Sequence, residues 1–184
     1  MPDKPTKLLI LDLDETLIHS TESRLAHAED ILFDQYFVYK RPFLDQFLID
    51  ISQHYVIGIW SSAGDMYVQT IAEKIKPQEI DYAFVWGRSR CTFKRDMERD
   101  FYEYEKKLSK LKSKGYSLES MLIVDDTREK ARSNYGNAIY IREFTGNRED
   151  VELQHLFTYL VSLKEVPNFR TIEKRGWRQR NHDT

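Results

Sequence analysis

The chain has 184 residues, with Lys and Arg totalling 28 against 30 Asp and Glu, and is 41% hydrophobic. That suits one soluble domain over 1–184, with a core from about residue 7 to 163 and a tail over 164–184, and it excludes a disordered chain. The near-neutral balance gives no overall attraction to nucleic acid, the single cysteine (Cys91) excludes an internal disulfide, and no apolar run approaches the roughly 18 residues of a membrane span; a cytoplasmic protein without membrane or nucleic-acid partners is expected.

Lys7–Leu13 (KLLILDL) reads as a buried strand and Tyr36–Tyr39 (YFVY) as a second, shorter one. Pro42 suits the first turn of a helix whose buried face carries Phe43, Leu44, Phe47, Leu48 and Ile51. Tyr55–Trp60 (YVIGIW) is the next strand, followed by a helix from about Gly64 to Lys74 and a strand at Tyr82–Trp86. A Lys-rich helix is then expected, with Tyr104, Leu108 and Leu111 inside, ending near Gly115. Ser120–Val124 and Ala138–Ile141 make two more strands, and a helix from about Glu149 to Leu163 closes the fold on Val151, Leu153, Leu156, Tyr159, Leu160 and Leu163. Lys174, Arg175, Arg178 and Arg180 read as a solvated, frayed basic end. Strands alternating with helices predict an α/β fold, a mostly parallel central sheet sandwiched by helices.

In such sheets the active crevice lies outside the carboxyl ends of the strands. Asp12 and Asp14 end KLLILDL, Ser61 follows YVIGIW, and Asp125 and Asp126 follow SMLIV, so three strands send polar residues to one edge. A single capping carboxylate would serve a strand end, whereas two at i and i+2 can share a metal and a phosphate. One aspartate can form an acyl-phosphate, and the other can protonate the leaving oxygen and then activate water. Mg²⁺ suits the neutralisation of a phosphate dianion, with Asp126 or Asp125 completing its site beside Asp12. Ser61 offers a hydroxyl at the start of a helix, a place that favours anions. A fixed cation is also needed, and the run from Lys106 and Lys107 to Lys114 contains it without saying which lysine turns inward.

On these residues the sequence resembles the haloacid dehalogenase superfamily of phosphatases, and within it the NLI-interacting-factor-like branch that includes the small C-terminal-domain phosphatases. LDLDETLIHS, YKRPFLDQFL, WSSAG and VDDT stand in the order of that branch's motifs, and the likeness runs from about Lys7 to Leu163. The resemblance implies a Rossmann-type core, Asp12 as nucleophile, Asp14 as general acid and base, and Ser61 as a phosphate ligand. It further implies Mg²⁺ on Asp12, the backbone carbonyl of Asp14 and Asp126, with Asp125 beside the metal. EKKLSKL matches the family's lysine best at Lys106, and RSRCTF points to Arg88 as a substrate contact; Thr16 and Ser62 are expected to bind substrate with it. The intervals between motifs leave no room for a full cap domain, so an open site is expected. That favours phosphoserine or phosphothreonine on a protein over a small metabolite or a nucleic-acid phosphate end. A catalytically silent binding module would have lost one of the two motif aspartates, and both are retained.

Overall fold

The computed structural model describes residues 6–96 and 101–179. Its centre is a five-stranded, wholly parallel sheet built from Leu8–Leu11 (β1), Val56–Trp60 (β5), Phe84–Trp86 (β6), Met121–Asp125 (β9) and Ala138–Tyr140 (β10). Three further strands, Ile18–Thr21 (β2), Ile31–Phe33 (β3) and Tyr36–Lys40 (β4), form a separate antiparallel sheet, and Thr92–Asp96 (β7) pairs with Phe101–Glu105 (β8) as a hairpin. The helices are Leu44–Ser52 (α1), Asp65–Ile75 (α2) and Glu152–Leu163 (α3).

The order of the central sheet is β10-β9-β1-β5-β6. The chain therefore leaves β1 toward β5 and β6, then crosses back to lay β9 and β10 on the other side. The reversal falls at β1, and the crevice it opens lies at the carboxyl ends of β5, β1 and β9. β1 is held on both flanks, with Leu11 level with Ile59 and with Val124. All four of its residues are fully buried, each stabilising the fold by about 1.5–3 kcal/mol. Successive side chains point to opposite faces, so Leu9 and Leu11 join one apolar cluster and Leu8 and Ile10 the other. At Gly58 an added Cβ would stand 2.4 Å from the ring of Phe84, so the missing side chain lets β6 close onto β5.

Several expectations need correction. Tyr104, Leu108 and Leu111 do not share one helix. Tyr104 lies on β8, opposite Phe93, and a separate 3-10 helix covers Leu108–Lys114 with Leu108 and Leu111 buried. Within FYEYE the run from 102 to 105 alternates aromatic and acidic residues, the period of a strand, and that periodicity prevails over the i, i+4, i+7 spacing. The 3-10 helix does end at Gly115, in the left-handed conformation at φ 89°. Phe43 precedes α1 at φ 67° and is half exposed, so it is not on the buried face; Val151 likewise sits before α3 and is exposed.

The tail is no frayed end. Phe169 and Trp177 belong to the main core, and the Trp177 indole donates to the Tyr140 carbonyl on β10 at 2.9 Å. Lys174 is buried with its ammonium on the carbonyls of Gly136, Phe169 and Ile172, and Arg178 pairs with Glu152. Arg180 lies outside the described residues. Among the described residues no helix is long and apolar enough to cross a membrane.

Candidate active site

The backbone amide of Asp12 continues the sheet by donating to Val124 O at 3.0 Å, which fixes the residue at the crevice although β1 has ended. The chain then turns tightly. Thr16, Leu17 and Ile18 all donate to Leu13 O, and Glu15 takes a left-handed φ of 59°. Arg41 fastens this turn from beneath. Its fully buried guanidinium donates to Thr16 O at 2.9 Å and Arg142 O at 3.0 Å, and grips both carboxylate oxygens of Asp150 at 2.8 and 2.9 Å.

The Asp12 carboxylate is 1% exposed and stands between two lysines, with Lys106 Nζ 2.6 Å from Oδ1 and Lys130 Nζ 3.5 Å from Oδ2. Burial works against its charge, but the two ammonium groups outweigh burial and keep the carboxyl ionised below its ordinary pKa. Asp14, two residues on, faces a different environment. Its Oδ1 accepts from the Tyr67 hydroxyl at 2.6 Å and its Oδ2 from Ser61 Oγ at 3.1 Å. Burial raises its pKa and the neighbouring Asp12 charge adds to the rise, while the Tyr67 and Ser61 hydrogen bonds oppose it.

Lys106 leaves the end of β8 and is fully buried, its ammonium bridging Asp12 and Asp125 Oδ2, the latter at 2.7 Å. Its backbone is fixed as well, by donation to Lys130 O at 2.9 Å. Lys107 turns away, 41% exposed and 3.7 Å from Glu105. Two buried carboxylates thus share the Lys106 charge. Burial and the proximity of Asp12 push Asp125 up to about 7. Asp126, half-buried, accepts from Thr16 Oγ1 at 3.4 Å and from Thr127 Oγ1 at 2.9 Å. Oxygens of Asp12, Asp125 and Asp126 come within 4.8 Å of one another. Such a set of hard oxygen donors with surplus negative charge fits a divalent cation of the Mg²⁺ kind.

Across the crevice Ser61 Oγ accepts from the Ala63 amide at 3.0 Å, so the hydroxyl is set at the entrance to α2. Ser62 contributes a carbonyl that accepts from Arg88 Nε at 2.9 Å, and the exposed Arg88 guanidinium also lies over the Tyr104 ring at 5.1 Å. Of the residues singled out in the sequence, Asp12, Lys106, Asp125, Asp126 and Thr16 join one chain of ion pairs and hydrogen bonds through Thr127, and Asp14 with Ser61 forms a second group beside Asp12. Ser62 and Arg88 form its rim.

Sequence reasoning missed Tyr67 and Lys130. Tyr67 occupies the first turn of α2, a place the WSSAG segment signals, but its ring also packs edge-on to Phe33 at 5.3 Å and reads as core. Lys130 lies in the irregular turn after Asp126, where no periodicity assigns a direction. His19 is paired with Glu15 at 2.8 Å and sits in the turn's support. Cys91 is buried and burial pushes its thiol pKa up, contrary to the needs of a nucleophile.

A family model described as NLI interacting factor-like phosphatase matches residues 7–170. CTD nuclear envelope phosphatase 1B of Danio rerio is 28% identical over 188 residues, covering 94% of this chain and 73% of that protein. Nuclear envelope morphology protein 1 of Saccharomyces cerevisiae is also 28% identical, over 187 residues that cover 90% of this chain and 41% of that protein. Among solved structures, that of Fcp1, an essential RNA polymerase II CTD phosphatase, shares the fold with a TM-score of 0.67 at 16% identity, covering 96% of this chain and 66% of that one. The names of the first two relatives mention the nuclear envelope, which is said of those proteins alone.

Proposed function

The chain belongs to the NLI interacting factor-like phosphatase family, and from that premise we propose that it hydrolyses phosphoserine or phosphothreonine on a protein, with Mg²⁺ as cofactor and an aspartyl-phosphate on Asp12 as intermediate. One observation carries the assignment of roles: two carboxylates at one strand end are held in opposite ways, Asp12 by ammonium groups and Asp14 by hydroxyl groups. Neighbouring carboxyl groups whose surroundings separate their pKa values can divide nucleophilic and acid–base work.

In the first step a carboxylate oxygen of Asp12 bonds to phosphorus as the P–O bond to the serine or threonine breaks, and Asp14 gives its proton to the departing oxygen. In the second, Asp14 takes a proton from water, the water oxygen bonds to phosphorus, and the acyl-phosphate bond breaks to restore Asp12 and release phosphate. Lys106 keeps Asp12 ionised and aimed, and supplies positive charge where the phosphoryl oxygens gather. Ser61 and the amides at the start of α2 face the same place from the other side of β1. Asp12, Asp126 and the Asp14 carbonyl, with Asp125 alongside, would hold Mg²⁺, which when bound neutralises the phosphate dianion.

Among the described residues the elements beyond the central sheet and its helices are small, a three-stranded sheet and the β7–β8 pair, and a site without a large cover suits a phosphate presented on a polypeptide. The Fcp1 structure is that of a phosphatase of a protein substrate, which supports the same class here. Phosphate release from phosphopeptides, sugar phosphates and nucleotides, each with wild type and Asp12→Asn, tests the reading. It fails if the peptides are the poorest substrates, or if Asp12→Asn retains turnover.

A further inference from the structure

Beside the crevice, along the edge strand β10, the folded tail encloses a cavity of about 400 Å³. Its wall carries Arg128, Arg170, Lys174, Arg175 and Arg178 against one carboxylate, Glu173. Glu173 pairs with Arg175 and Glu152 pairs with Arg178 from outside the wall, so five cations less two carboxylates leave a local charge of +3 in a chain whose net charge is −2. Lys174 contributes to that field with carbonyl partners alone, and burial brings its pKa down to about 8, a cost that a nearby anion would offset. Among the described residues Arg128 and Arg170 make no ion pair within 4 Å, although Arg170 is near enough to Glu119 to interact with it through space. Arg128 lies over the Tyr140 ring at 5.3 Å, and Tyr135 adds an exposed aromatic side chain to the wall.

The cavity's position relative to the catalytic edge gives it a use. Tyr140 is level with Asp125 on the next strand, about 4.8 Å away, and Arg128 follows Asp126 by two residues. We propose that this basic cavity binds acidic side chains of the polypeptide substrate, Asp, Glu or further phosphorylated residues, while the phosphate to be removed sits over Asp12. The proposal rests on the protein-phosphatase reading above. β10 lies two strand spacings from β1, about 10 Å, and its own length adds up to about 10 Å more, so the acidic residues lie about three to six positions from the phosphorylated one at ~3.3 Å per extended residue. Arginine forks bind carboxylate and phosphate alike, and the guanidinium groups of Arg128 and Arg170, which make no ion pair within 4 Å among the described residues, are the contacts available.

Two peptides of equal length test this, each with one phosphoserine, one carrying Glu and the other Gln at positions three to six on both sides. The Glu peptide should have a kcat/KM about tenfold above the Gln peptide in wild type at low salt, and the preference should shrink as salt screens it. In Arg170→Ser and in Arg128→Ser/Arg170→Ser the Glu-to-Gln ratio should fall toward one, a comparison within each variant that cancels any change in the chemical step. Equal values in wild type, or a ratio unchanged in the double variant, overturn the proposal. Fluorescence anisotropy with an unphosphorylated Glu peptide reads the cavity without turnover. If p-nitrophenyl phosphate and both phosphopeptides go unhydrolysed, the catalytic reading fails, while Arg-dependent binding of the Glu peptide still upholds an acidic-peptide site. A labelled RNA oligonucleotide that binds more tightly than the Glu peptide, and is lost with the same arginines, overturns the peptide reading in favour of nucleic acid.

Discussion

The Tyr67 hydroxyl donates to Asp14 Oδ1 at 2.6 Å, the shortest bond to the group assigned as general acid and base. It reaches Asp14 from the first turn of α2, so the helix proposed to face the phosphate with its amino terminus also holds the proposed acid.

Tyr67→Phe removes a hydrogen bond that favours the ionised form of Asp14, so the Asp14 pKa should climb further. The first chemical step needs the protonated form, and the alkaline limb of kcat/KM should therefore move to higher pH. kcat should drop roughly fivefold, the worth of about 1 kcal/mol for one lost hydrogen bond. A pH–rate profile checks it; a profile with an unmoved alkaline limb leaves Tyr67 a packing residue only.

Asp12→Asn should fold and lose at least about 10³-fold in kcat, since the amide is nearly isosteric but cannot form the acyl-phosphate. Single-turnover assays with labelled phosphopeptide, quenched in acid, should show phosphoenzyme in wild type and none in the variant.

Lys106→Ala and Lys107→Ala should differ sharply. The first removes the cation shared by Asp12 and Asp125 and should cost on the order of 2.7–4 kcal/mol in the barrier. It should also lower Tm, because two buried carboxylates lose their common partner, a defect of about 3–5 kcal/mol. The second removes an exposed charge and should cost under about 1 kcal/mol in either quantity. Kinetics and thermal unfolding of both variants decide, and a larger kinetic loss at Lys107 would reverse the assignment.

Metal binding can be read without turnover. A divalent cation that binds only the folded carboxylate site raises stability by RT ln(1 + [L]/Kd), so Mg²⁺ at 100 times its Kd should add about 2.7 kcal/mol. The rise in Tm should reverse with EDTA and be largely lost in Asp126→Asn. Phosphate release should stop in the chelator. Undiminished hydrolysis by metal-stripped protein would remove Mg²⁺ from the mechanism.

The parts of the fold legible in the sequence are those with one dominant signal. The run LLIL before Asp12 is fully buried on both faces, and a continuous apolar run ended by acids has few alternatives. Three strand ends delivering Asp12, Ser61 and Asp125 followed from the same rule. What escaped has two causes. Short half-buried strands such as IHST and ILF bury too little for a pattern to show. Elsewhere the decisive partner is remote in the chain: Tyr67 is 53 positions from Asp14, and Trp177 is 37 from Tyr140. The basic tail looked solvated because its charges conceal Phe169 and Trp177, which anchor it.

The Arg41 clamp ties catalytic competence to the order of synthesis. The turn that carries Asp12 and Asp14 is made early, yet the guanidinium beneath it closes only on Arg142 and on the carboxylate of Asp150. Partners 101 and 109 positions beyond Arg41 must be made before that clasp can form, and β1 also waits for its flanking strand β9. A growing chain that has not yet supplied Arg142 and Asp150 therefore holds Asp12 and Asp14 on a turn without the clasp beneath it.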